Sequence, residues 1–81
     1  MQVSFLCDGV RIKTSKSGKP YAELYVRELG DDGEADFEQH VYRSFEESVV
    51  QECQNLKPNT IIVADLEIRE ALVTRVTTEL L

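Results

Sequence analysis

Apolar and polar residues alternate from the start of the chain. Val3, Phe5 and Cys7 share one side of a strand with period two. Asp8-Gly9 interrupts this set, and Val10 and Ile12 resume it on the other parity. A shift of one position at a glycine predicts a β-bulge within one long strand over residues 2–15. The polar loop Thr14 to Lys19 follows. Pro20 heads a second strand, Tyr21 to Leu29, where its missing N–H costs little. The inward set of that strand reads Ala22, Leu24, Val26, and the outward set Tyr21, Glu23, Tyr25, Arg27. Residues 30–36 form a turn region with four acidic residues, predicted to be a solvated tip. A third strand is expected over Phe37 to Arg43, with its facing left open. Either Phe37, Gln39, Val41 and Arg43 point outward, or Glu38, His40 and Tyr42 do.

The period then changes. Ser44-Phe45-Glu46-Glu47 has the form of a capping box, in which Ser44 accepts from a free N–H and Glu47 reaches back. Phe45, Val49, Cys53 and Leu56 make one apolar stripe of a helix that Lys57-Pro58-Asn59 stops. A fourth strand, Thr60 to Arg69, places Ile62, Ala64, Leu66 and Ile68 on one face. After a short turn at Glu70-Ala71, a fifth strand runs from Leu72 to about Leu80, with Leu72, Val76 and Leu80 together. Three strands, a helix and two strands in 81 residues predict a mainly β chain. The expected architecture is an OB-fold five-stranded Greek-key barrel with one helix between strands 3 and 4, spanning 1–81 as a single domain. The helix would plug one end, and the long first strand would serve both sides of the barrel. The competing architecture is a mixed α+β sheet with the helix on one face.

Charge sharpens this picture because it is unevenly placed. The net charge is −6. Residues 1–27 carry five basic residues against two acidic, a balance of +3; the remainder carries four basic and thirteen acidic, a balance of −9. Screening over about 8 Å in physiological salt lets such a local patch act on its own surroundings. Arg11, Lys13, Lys16 and Lys19 lie on the end of strand one and the loop after it. Tyr21, Tyr25 and Arg27 then share one face of strand two. Cations that track phosphates beside rings that stack on bases are what single-stranded nucleic-acid binding requires. OB folds bind on the face of strands two and three, flanked by the one–two and four–five loops. Lys13, Lys16, Lys19 and Arg27 are therefore expected to contact phosphates, and Tyr21, Tyr25 and Tyr42 to stack on bases. Arg11 and Arg43 are neighbours in the same candidate site, and Gly18 leaves the loop free to close over a bound strand.

Ser17-Gly18-Lys19-Pro20-Tyr21, after a basic strand and before an aromatic one, resembles a segment of the small single-stranded-DNA-binding proteins of filamentous phages. It is also similar to the Gly-Lys-Pro-Tyr/Phe approach to strand two in OB-fold binders of single-stranded DNA. Lys57-Pro58-Asn59-Thr60, leading into two strands, resembles the approach to the closing hairpin of the phage proteins. The resemblance implies cooperative DNA binding as a homodimer, through basic residues and exposed aromatics. Residue by residue, it points to Lys16, Lys19 and Tyr21, with Tyr25 and Arg27 beside them.

Other classes find less support in the residues. No nucleophile–base pair, glycine-rich phosphate loop or metal-ligand spacing is present, so neither enzymatic activity, a cofactor nor a bound metal is expected. Cys7 and Cys53 read as small buried apolar residues with reduced thiols, and His40 as an ordinary strand residue. No apolar run approaches the ~20 residues that cross a bilayer, and Met1 to Asp8 lacks a basic n-region. The expectation is a cytoplasmic protein with no membrane partner. The alternative from another class is an OB-like protein-interaction module whose tyrosine face or strand edge docks a protein partner, a reading that net acidity favours.

Overall fold

Ala22, Leu24 and Val26 recur at every second position of β2 (Pro20–Glu28), and all three are buried. A computed structural model describes residues 1–78. Along β2 runs β1 (Gln2–Thr14), which pairs antiparallel with it from Phe5–Glu28 to Thr14–Pro20. The register slips between Cys7 and Gly9, so Asp8 is the extra residue of a bulge. The slip lets Phe5 and Cys7 face the core and still leaves Arg11 and Lys13 facing out. The first half of β1 also pairs with β4 (Thr60–Glu67), so one bent strand serves both neighbours.

β3 (His40–Ser44) flanks β2 on its other side, and β5 (Leu72–Thr78) flanks β4. A parallel bridge from Arg43 to Leu72 joins β3 to β5 and closes the barrel in the order β1-β2-β3-β5-β4. The buried Ser44 hydroxyl donates to the Val73 carbonyl and fastens this seam. The single helix, α1 (Glu47–Gln54), lies between β3 and β4 and buries Val49, Val50 and Cys53. A closed five-stranded mixed barrel with this helix placement is OB-like. Its core joins Phe5, Leu24, Ile62 and Val73 to the buried face of α1. Each such side chain contributes roughly 1.5–3 kcal/mol by leaving water.

Several element boundaries differ from those the sequence predicts. Ser44 ends β3 and bonds across the seam, so no capping box forms. Glu46 occupies the N-cap position without a side-chain bond, and Phe45 lies outside α1, leaving Val50 to complete the buried face. β3 begins at His40, which leaves Phe37, Glu38 and Gln39 in the preceding loop. Ile68 falls in the β4–β5 turn, 63% exposed, because β4 ends at Glu67. A second register slip, between Asp65 and Leu66 in the β4–β5 pairing, buries Val73 in place of the half-buried Leu72. The position expected for Leu80 lies outside the described residues. Cys7 and Cys53 are free and buried. Burial, and then the proximity of Cys7, pushes the Cys53 thiol up to about 12, and burial raises Cys7 as well.

Candidate nucleic-acid interface

The outer row of β2 faces solvent between β1 and β3. Residues directly opposite on neighbouring strands share a face. On one side Lys13 lies opposite Tyr21 and Arg11 opposite Glu23; on the other, Arg43 lies opposite Glu23 and Val41 opposite Tyr25. The same register settles the facing of β3. Tyr42 pairs with Leu24 and His40 with Val26, so both belong to the inner side. The Tyr42 ring is half-buried, 5.8 Å from Phe5 and 5.9 Å from His40 between centroids. The stacking role expected of Tyr42 beside Tyr21 and Tyr25 therefore has no basis in this geometry, because the barrel wall separates them. Arg43 does join the face.

Glu23 sits at the centre of that face, 6% exposed. Lys13 Nζ lies 3.1 Å from its carboxylate and Arg43 Nε 3.7 Å from it. The Tyr25 hydroxyl donates to Glu23 Oε1 at 3.1 Å. The Lys13 ammonium holds the Glu23 carboxyl below its usual range against the opposing effect of desolvation, helped by the Tyr25 hydroxyl and the Arg43 charge. The cations also meet the rings. The Arg11 guanidinium carbon is 5.7 Å from the Tyr25 centroid, and that of Arg43 is 5.9 Å from Tyr21. Phe45 stacks on Tyr21 with centroids 5.1 Å apart and planes at 29°. Beyond Phe45, a trough bordered by Val41, Arg43, Glu70 and Leu72 leads to the β4–β5 turn.

The β1–β2 hairpin is fixed more tightly than its glycine suggests. Ser15 N–H donates to Lys19 O, Gly18 N–H donates to Ser15 O, and Lys19 N–H donates to Ser15 Oγ. Gly18, at φ 85°, takes the left-handed conformation that this tight tip requires. Lys16 and Lys19 are exposed there and form no ion pair among the described residues. Arg27 is placed differently. It grips the bulge residue Asp8 through Nε and Nη2 at 3.0 and 2.9 Å, and Gln39 donates to the same carboxylate at 2.9 Å. The Arg27 bonds, then that of Gln39, hold Asp8 below the usual carboxylate range, and Asp8 in turn raises Arg27. A guanidinium held by both prongs is committed to that partner.

Arg11, Lys13, Lys16, Lys19, Tyr21, Tyr25 and Arg43 thus share one continuous surface. Arg27 borders it in a closed pair, and Tyr42 lies behind it. Phe45 belongs to the surface, although its spacing with Val49 suits the helix stripe. The signal for it was the alternation Val41, Arg43, Phe45, continued one residue past the end of β3. Glu23 was visible as an outward residue, but its contacts needed the strand register. The chain matches no family model, no curated protein and no solved structure. The surface offers five cations against one central carboxylate, with three rings between them.

Proposed function

We propose that this chain binds single-stranded nucleic acid across the outer face of β1, β2 and β3. The observation that carries the reading is the juxtaposition of half-exposed Tyr21 and Tyr25 with Arg11, Lys13 and Arg43, next to a hairpin whose Lys16 and Lys19 are unpaired among the described residues. Lys16, Lys19 and Arg11 contact phosphates. Lys13 and Arg43 do so after loosening from Glu23, and Tyr21, with Phe45 at its back, offers a base a stacking platform. Phosphate contacts and stacking on rings tolerate any base, so binding is weakly sequence-specific. The kinship with filamentous-phage proteins suggested by Ser17 to Tyr21 is one form of this reading, and self-association of the chain belongs with it.

Fluorescence anisotropy with a labelled oligothymidylate tests the reading. Neutralising three to five phosphates gives a plot of log affinity against log salt with a slope of about −2 to −3.5. No binding at low salt overturns it. A second reading, docking of a protein partner on the same face, is favoured by buried Glu23 and by exposed Val41 and Phe45. It predicts no affinity for the oligonucleotide even at low salt.

A further inference from the structure

Residues 28–36 fold into a small turn at the far end of β2. Leu29 bridges Ala35, Gly30 N–H donates to Glu34 O, and Asp36 N–H donates to Glu28 O. Asp36 Oδ1 then accepts from the Phe37 N–H at 2.7 Å. This ordered turn holds Phe37 100% exposed. Beside Phe37, a cleft of about 630 Å³ is lined by Leu6, Leu29, Ala35 and Ile61, with Glu34 and Arg27, the latter already neutralised by Asp8, completing its wall. The same loop carries the exposed carboxylates of Asp31, Asp32, Glu34, Asp36 and Glu38. The result is an apolar patch inside a negative rim.

Charge selects what can cover such a patch. Two copies meeting through the same loop would set five carboxylates against five, which opposes a two-fold contact. The occupant must be positive and partly apolar. One surface of this chain fits: the β1–β2 hairpin, with Lys16 and Lys19 at its tip and exposed Ile12 and Pro20 at its base. The hairpin and the cleft lie at opposite ends of β2, whose nine residues span roughly 26 Å. That separation is about three screening lengths in physiological salt, so the contact does not close within one molecule. We infer that the Phe37 cleft docks the basic hairpin of a second copy, joining chains head to tail. A heterologous contact of this kind continues from copy to copy. One consequence rests on the nucleic-acid reading: Lys16 and Lys19 serve both contacts, so a bound strand competes with the neighbouring copy.

Sedimentation velocity on the full chain, freed of nucleic acid, tests the contact. At low salt, species larger than a monomer grow with concentration, and high salt disperses them. Phe37→Ala and, separately, Lys16→Glu with Lys19→Glu each abolish this growth while the thermal unfolding curve stays in place. An equimolar mixture of the two variants restores a species of two chains and no larger, because one supplies an intact hairpin and the other an intact cleft. A monomer at all concentrations, association that survives either variant, or a mixture that stays monomeric overturns the proposal. Adding oligothymidylate tests only the competition; its failure leaves the self-association result standing and counts against the nucleic-acid reading.

Discussion

The two sides of β2 obey different rules. On the inner side Ala22, Leu24 and Val26 need only be apolar and of suitable size, and the barrel makes them neighbours of Phe5 and Ile62. On the outer side Tyr21, Glu23, Tyr25 and Arg27 depend on which residue lies opposite. Arg27 meets a carboxylate and is bound up with it; Arg43, with the same chemistry, shares its carboxylate with Lys13 and remains largely in solvent. The inner side is governed by burial and volume, which an apolar residue of the right size satisfies. The outer side is governed by pairing, and pairing decides which charges remain available.

The largest effect that tests this contrast is on the inner side. Leu24→Ala removes a fully buried side chain and lowers stability by about 2–5 kcal/mol in urea unfolding, because the cavity collapses only in part. Binding measured on the surviving folded fraction stays near that of the parent chain. Next, Tyr21→Ala removes the ring between Phe45 and Arg43. It weakens oligothymidylate binding by about 5- to 150-fold, the range that corresponds to one stacked base, with the melting curve little moved. Glu23→Gln acts in the opposite direction. With the central negative charge gone, Lys13 and Arg43 no longer share it, and the dissociation constant at low salt falls about fivefold. Unchanged or weaker binding would show that Glu23 does not compete with phosphate.

The smallest effect on binding is that of Arg27→Gln, a change of less than about twofold, since the guanidinium is already held by Asp8. Its consequence is in the acid range. Asp8 and Glu23 both titrate lower in the folded chain than their ordinary values of 3.8 and 4.5. Their contribution to stability is therefore complete above those values and is lost as pH falls through the lower, folded ones. Acid unfolding followed by circular dichroism shows that loss in the parent chain. Arg27→Gln removes the larger part of the share that belongs to Asp8, leaving what Gln39 supplies, and Glu23→Gln removes the other.

Much of the barrel could be read from period alone. The phase slip at Asp8-Gly9, the inner row of β2 and the Ile62–Ala64–Leu66 face are local patterns, and burial enforced each of them. The end of β3 was not legible. Ser44 suits a helix cap and a seam bond equally well, and the seam depends on Val73, 29 residues away. That ambiguity places Phe45 on the helix stripe, while the facing of Tyr42 depends on the β2–β3 register, which the alternation of the third strand alone does not give. Of the surface residues, Arg11, Lys13, Lys16, Lys19, Tyr21 and Tyr25 could be grouped from their positions. The commitment of Arg27 could not, because its partner sits on a bulge whose direction follows only from the paired strands.

The extra residue of β1 gives the chain an unusual tolerance. A deletion in a strand ordinarily exchanges inside for outside from that point on. Removing Asp8 would instead restore plain alternation, with Cys7 and Val10 still inward and Arg11 and Lys13 still outward. The same deletion would release Arg27 from its clasp. A single codon lost at this position would thus add one free cation to the rim while sparing the hydrophobic interior, which makes the kink in the first strand a natural place for the electrostatics of this barrel to evolve.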